Sequence, residues 1–326
     1  MLRTIRLTAA IVCFALITLL FLDFTGTLHT WFGWLAKIQF LPAVLALNIG
    51  VVLLLIVLTL LFGRIYCSVI CPLGVFQDAV SWISGKRKKN RFRYSPALRW
   101  LRYGVLTVFV IALVAGWNTF VILLAPYSAY GRMASSLLAP FWQWGNNLMA
   151  YFAERAESYA FYEVDMWMKS LSTLIIAIIT LVVLFILAWR NGRTYCNTIC
   201  PVGTILGFIS RYAIFKPVID TSKCNGCGLC ARNCKASCIN TKAHEIDYSR
   251  CVACMDCLGK CKQGAIRYTR RIPKKESATT ETVQVKSVTA EQVNNARRSF
   301  LSAPGKANAP TLLSSPMPVS GFPYWK

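Results

Sequence analysis

Cys224, Cys227, Cys230 and Cys234 follow the spacing C-x2-C-x2-C-x3-C, and Cys251, Cys254, Cys257 and Cys261 repeat it. Two-residue gaps let three thiolates of one loop reach three irons of a cubane, while the fourth ligand arrives from elsewhere in the chain. Zinc is the competing chemistry, but its structural sites usually use separated C-x2-C pairs that close one tetrahedron. Eight cysteines in this doubled pattern therefore predict two 4Fe–4S clusters. A further cysteine, Cys238, follows in "CKASCIN" and is an alternative to Cys234 as a ligand.

The doubled motif resembles the bacterial two-cluster ferredoxins. That resemblance implies crossed ligation, with Cys224, Cys227, Cys230 and Cys261 on cluster 1, and Cys251, Cys254, Cys257 and Cys234 on cluster 2. Lys235 and Lys262 stand where such ferredoxins usually carry proline after the fourth cysteine. The module is rich in lysine and arginine, unlike the acidic surface typical of mobile ferredoxins. Anionic lipid or an acidic docked partner would suit it.

A second cysteine pattern is duplicated at a distance. "GRIYCSVICPLG" occupies 63–74 and "GRTYCNTICPVG" occupies 192–203, with eight of twelve positions identical and matched residues 129 apart. Cys67 with Cys71, and Cys196 with Cys200, share a helical face if the segment is helical. Pro72 and Pro201 suit the first turn of a new helix. The second cysteine of each pair thus falls at a helix start, where amides and dipole favour a thiolate, and Arg64 and Arg193 add positive charge. Gly63, Gly74, Gly192 and Gly203 are expected to permit tight turns. The four thiols can be read as packing at a bend, as two dithiol–disulfide couples, or as the contact between membrane and ferredoxin parts. The symmetry favours one joint metal centre, a symmetric iron–sulfur cluster or Cu(I).

The elements that must position these cysteines are apolar. The 326-residue chain is 56% hydrophobic, with mean hydropathy +0.48, beyond what a soluble core needs. Uncharged stretches cover 7–22, 38–63, 103–131 and 170–189. About 17–25 apolar residues span a bilayer as helix; the first stretch is short, and with no A-x-A site after it we expect an uncleaved anchor. The net charge of +23 is sorted along the chain, with +8 over 64–102, −1 over 126–169 and +14 from 190 onward. The positive-inside rule then puts both termini, the middle loop and both twelve-residue repeats on the cytoplasmic side. This sorting explains the basic balance better than nucleic-acid binding, and the reducing compartment favours metal ligation over disulfides. Cys13, mid-span in the first stretch, reads as a small core residue. Linker 84–100 is basic and suits lipid headgroups, and the aromatic loop near 137–167 is expected to hold an interfacial amphipathic helix.

The expected fold is thus an α-helical membrane protein whose four transmembrane helices form two duplicated hairpins (1–215). A small cytoplasmic α+β ferredoxin domain (216–268) and a disordered tail (269–326) follow. Four spans, two "YCxxICPxG" motifs and a two-cluster ferredoxin together resemble the NapH-type membrane ferredoxins over about residues 7–268. The resemblance implies an inner-membrane quinol dehydrogenase component of anaerobic respiration. It would exchange electrons between the quinone pool and a ferredoxin-type or multihaem cytochrome subunit. The short form is expected, without the N-terminal flavin domain of NosR-type relatives or the C-terminal β-sandwich of CcoG-type ones. The alternative function is a copper-binding assembly factor whose clusters reduce Cu(II) at Cys67, Cys71, Cys196 and Cys200. A third is a membrane docking platform with structural clusters.

With only two histidines, His29 and His244, placed on opposite sides, a haem held by histidines alone is excluded. The chain has no C-x-x-C-H, Walker or G-x-G-x-x-G motif, so quinol is the natural donor. His29, Glu154, Glu157, Glu163 and Asp165 are candidate proton acceptors for it.

Overall fold

The computed structural model describes residues 2–23, 25–85, 92–155, 162–164 and 170–270. The expected disordered tail lies outside them from residue 271 onward, as do Glu157, Asp165 and part of the basic linker. Residues Met1–Ile272 form one compact unit, so the helical part and the ferredoxin module pack as a single body.

The first half begins with α1 (Leu2–Leu22) and three short helices, α2 (Thr27–Phe32), α3 (Trp34–Lys37) and α4 (Phe40–Leu45). Next come α5 (Ile49–Phe62), α6 (Ile65–Val69) and α7 (Pro72–Gly85). The second half holds α8 (Arg99–Val114), α9 (Asn118–Leu124), α10 (Pro126–Met133), a π turn (Ala134–Leu138) and α11 (Ala139–Arg155). It closes with α12 (Leu171–Asn191), α13 (Thr194–Thr198) and α14 (Pro201–Ile209). Two of these helices, α1 and α12, are long and apolar enough to cross a membrane. The stretches 38–63 and 103–131, expected as single spans, are each broken. Leu47 adopts φ 51°, after which Asn48 caps α5 by accepting from the Val51 amide. Gly116 at φ 73° separates α8 from α9. Hydropathy is blind to both breaks, because apolar residues continue on either side.

The core gathers Ile17 and Leu20 of α1, Tyr66 and Leu73, Phe109 of α8, Leu184 of α12 and Leu206 of α14. Outward, Leu53, Leu54 and Val57 of α5 and Ile175, Ile179 and Val183 of α12 stay exposed, an apolar belt that water would not favour. The expected amphipathic helix is α11, with Phe141, Trp142, Trp144, Tyr151 and Phe152 exposed.

In the ferredoxin module, β1 (Phe215–Ile219) and β4 (Ile266–Arg270) pair antiparallel, Ile219 opposite Ile266. The hairpin β2 (Ile239–Asn240) and β3 (Glu245–Ile246) sits between the two cysteine motifs, and the short helix α15 (Leu229–Arg232) contains the first motif's third cysteine, Cys230. Strand β1 extends straight from the last turn after α14, and the Tyr268 hydroxyl donates to the Phe62 carbonyl at the end of α5. The module therefore grows out of the helical part rather than hanging on a linker.

Candidate metal centres

Two small cavities in the module are lined by sulfur and apolar side chains. One holds Cys224, Cys227, Cys230 and Cys261, closed by Ile219, Ala265 and Ile266. The other holds Cys251, Cys254, Cys257 and Cys234, with Cys238, Ile239 and Ile246. Cys261 thus stands among the first motif's thiols and Cys234 among the second's. The two cavities differ in depth: Cys227 is exposed, whereas Cys234, Cys254 and Cys257 are buried. Among the described residues, no three His, Cys, Asp or Glu side chains form a compact group around a single-ion position; the sulfurs line cavities instead.

The two CxxxCP repeats fold alike, step for step. Gly63 and Gly192 both take φ 70°, a conformation that only glycine adopts without strain, and turn the chain out of α5 and α12. One short helix follows, and the amides of Cys71 and Cys200 each bond the carbonyl of Tyr66 or Tyr195 at 3.0 Å. Pro72 and Pro201 then open α7 and α14. Cys200 is the cap of α14, its sulfur accepting from the Gly203 amide at 3.4 Å. Gly74 and Gly203 are needed for close approach within each repeat, since a Cβ at either would overlap the carbonyl oxygen of Cys67 or Cys196, and a Cβ at Gly192 would overlap the Lys235 carbonyl oxygen. Gly203→Ala is accordingly expected to cost about 1–3 kcal/mol, read as a lowered unfolding temperature in detergent.

All four thiols are buried, Cys67 5%, Cys71 4%, Cys196 3% and Cys200 4% exposed. Thiols of the two halves are near neighbours, Cys71 with Cys196 and Cys200, and burial pushes the Cys71 and Cys200 thiols up. Gln77 of α7 donates to the Cys196 sulfur at 3.4 Å. The Tyr66 hydroxyl donates to Gln39 and accepts from the Phe40 amide, and that of Tyr195 donates to the Leu124 carbonyl.

The arginines of the repeats cross over. Arg193 of the second half donates from Nη1 to the Cys67 carbonyl, and Arg64 of the first half from Nη1 to the Gly203 carbonyl. Beyond this the symmetry ends. Arg193 Nε and Nη2 form a bidentate pair with Asp78 at 2.8 and 2.7 Å. The position 129 residues on from Asp78 is Gly207, whose missing side chain leaves space for the guanidinium groups of Arg102 and Arg64 and the Ser249 carbonyl. Arg64, with no acid in that space, donates to the carbonyls of Arg250 and Cys251 and to Asn197 Oδ1. The carbonyl of Lys235 accepts from the Arg193 amide, and its ammonium lies 3.7 Å from Asp78 and 3.1 Å from Asp256. Both halves are thereby fastened to the deeper sulfur cavity of the ferredoxin module.

This interior is rich in positive charge. Arg64 and Arg102 are 0% and 3% exposed and make no ion pair among the described residues. Burial and the neighbouring Arg64 push the Arg102 guanidinium down to about 10. Unpaired buried cations are costly, and thiolates held by an anionic metal cluster would offset them. The donor set thus fits an iron–sulfur group at the CxxxCP thiols as well as in the two ferredoxin cavities. Asp78, Gln77 and Gln39 were not picked out from sequence; the one signal for Asp78 was an acid within an otherwise basic segment. His29, Glu154 and Glu163 stand exposed.

Comparisons with known proteins agree with this chemistry. A family described as a 4Fe-4S binding domain matches residues 44–90 and 172–220, the two stretches that contain the CxxxCP repeats. A second family of the same description matches residues 217–240. The chain therefore carries 4Fe–4S binding domains. It is similar to the ferredoxin-type protein NapH of Haemophilus influenzae, 25% identical over 60% of this chain and 55% of that protein. It is similar also to the methylamine utilization ferredoxin-type protein MauN of Methylobacillus flagellatus, 26% identical over 53% of this chain and 48% of the relative. The putative electron transport protein YccM of Escherichia coli is 25% identical over 60% of this chain and 47% of its own length. The resemblance to the NapH-type group holds, and the chain spans about half the length of the curated relatives it matches. No solved structure matches.

Proposed function

We propose that this protein is a four-span inner-membrane electron-transfer subunit that exchanges electrons between the quinone pool and a respiratory partner. The partner is a ferredoxin-type or multihaem cytochrome subunit. The observation that carries the reading is the set of four buried thiols in and just after α6 and α13, in segments tied through Arg64 and Arg193 to backbone carbonyls beside the deeper ferredoxin cavity. Iron–sulfur clusters, when bound, supply one-electron carriage between a two-electron quinol and a distant acceptor. Cys224, Cys227, Cys230 and Cys261 would hold one cluster and Cys251, Cys254, Cys257 and Cys234 the other. Cys67, Cys71, Cys196 and Cys200 would hold a third.

The protein's own residues set the order of these sites. The CxxxCP thiols are buried beside the apolar helices; the Cys251 loop is tied to their segment through Arg64; the Cys224 set reaches the surface through exposed Cys227. Arg93, Arg232 and Lys242 line the groove at Cys227, and among the described residues no acid does, so an acidic partner surface would be drawn there. Breaks in the apolar stretches at Leu47–Asn48 and at Gly116 open irregular backbone beside the belt, where a quinol ring could approach the core.

An anaerobic titration of the detergent-purified protein with a menaquinol analogue, followed by electron paramagnetic resonance, tests this reading. Reduced-cluster signals are expected with quinol alone. Silence with quinol, beside normal reduction by dithionite, overturns the quinol assignment.

A further inference from the structure

The two ferredoxin motifs can be laid on one another through their fourth cysteines. After Cys234 the chain runs Lys235, Ala236, Ser237, Cys238, Ile239; after Cys261 it runs Lys262, Gln263, Gly264, Ala265, Ile266. The backbones match: Ser237 and Gly264 both have positive φ, 50° and 61°, and Ile239 and Ile266 both enter strands. Cys238 and Ala265 are therefore equivalent positions, each 1% exposed and each lining its own cavity. The outer cavity has four cysteine sulfurs, and the inner has a fifth.

Geometry fixes that fifth sulfur. The Cys238 carbonyl accepts from the Asp247 amide at 2.9 Å, and the Ser237 carbonyl accepts from Arg250 Nη2 at 3.0 Å. The side chain so held places its sulfur 3.5 Å from that of Cys234 and within hydrogen-bonding reach of that of Cys251. A cubane takes four thiolates, and its ligating thiols are deprotonated outright. Cys234 keeps the standard motif spacing and has its counterpart in Cys261, so Cys238 is the sulfur left over. Between two thiolates it is the only sulfur still carrying a proton, and it must be the donor.

We propose that Cys238 is not a ligand but an S–H donor to the ligand sulfurs of the inner cluster, and that it raises that cluster's reduction potential relative to a site with alanine there. The proposal rests on reading Cys234, Cys251, Cys254 and Cys257 as cluster ligands. The cause is electrostatic. Reduction adds negative charge to the cluster and its sulfurs, and a donated hydrogen bond stabilises the more negative state more. The inner cluster is in this way tuned to accept electrons, while the outer cavity, with Ala265, lacks the device.

A mediated redox titration of the full-length protein in detergent, read by electron paramagnetic resonance and total iron, tests this without any quinol. It therefore stands or falls separately from the quinol assignment. Cys238→Ala is expected to keep both clusters and lower one midpoint by about tenfold in its reduction equilibrium, ~59 mV for a one-electron couple. Cys238→Ser, which keeps a donor, should restore part of the shift. The reciprocal Ala265→Cys should raise the other midpoint, and it serves as the deciding variant if Cys238→Ala does not fold. Unchanged midpoints in these variants overturn the proposal. Loss of one cluster's iron in Cys238→Ala also overturns it, by showing Cys238 to be a ligand.

Discussion

Replacing Asp78 by alanine is expected to destabilise the protein by roughly 3–5 kcal/mol, the cost of leaving buried charges without their partner. This one carboxylate meets Arg193 through two hydrogen bonds, Arg6 of α1 through a third, and Lys235 of the ferredoxin module at 3.7 Å. Three segments far apart in the chain therefore converge on it, and Arg193 behind it is fully buried. Burial alone would raise the Asp78 carboxyl, but Arg193, Lys235 and Arg6 together hold it well below the usual carboxylate range. A depressed carboxyl contributes stability that is present above its unfolded value of about 3.9 and is lost as pH falls toward the folded one. The contribution of Asp78 should thus be flat between about pH 5 and 8 and decline only below about pH 4. Thermal unfolding in detergent, followed by loss of cluster absorbance, reads both effects. An Asp78→Ala protein that keeps its wild-type unfolding temperature would show that the convergence is incidental. Leu53→Ala, on the exposed face of α5, is the matched control and should change little in detergent.

How much of this was legible beforehand differs by residue type. Cysteine is rare and its ligand spacings are rigid, so both ferredoxin motifs and both CxxxCP repeats were readable, down to Cys71 and Cys200 at the starts of helices. The breaks at Leu47 and Gly116 were not, because hydropathy averages over side chains while a helix break is decided by backbone dihedrals and a cap such as Asn48. The duplication was plain at twelve residues, yet its most consequential feature is a difference. Asp78 faces Gly207 across the same 129-residue offset, so one arginine pairs with an acid while the other is free to reach the ferredoxin loop. Reading two halves for their mismatches as well as their matches would have found it. The roles of Gly74 and Gly203 were assigned to turns from sequence; they in fact make room for a carbonyl oxygen, which only the folded repeat reveals.

Cys67→Ser combined with Cys196→Ser is expected to have the other large effect, lowering iron per chain by about a third as three cubanes become two. The two substitutions take one thiol from each half, so the two that remain, Cys71 and Cys200, cannot complete four-thiolate ligation. Oxygen in place of sulfur keeps the size nearly constant and leaves the fold of α6 and α13 intact. Their shape depends on Gly63, Gly192 and the carbonyls of Cys67 and Cys196 rather than on the thiols. The Cys224 and Cys251 sets lie in separate cavities, so their signals should persist under dithionite while reduction by the quinol analogue is lost. That pairing of a retained dithionite response with a lost quinol response separates a functional centre from a merely structural bend. The buried excess of positive charge adds a second readout. With no cluster to offset Arg64 and Arg102, the double variant should unfold at lower temperature than the parent, and the loss should shrink when Arg102 is also made neutral as Arg102→Met. Unchanged iron in Cys67→Ser with Cys196→Ser would instead mean that the four sulfurs pack the bend and hold no iron, and the two ferredoxin cavities would then account for all the iron that the chain binds.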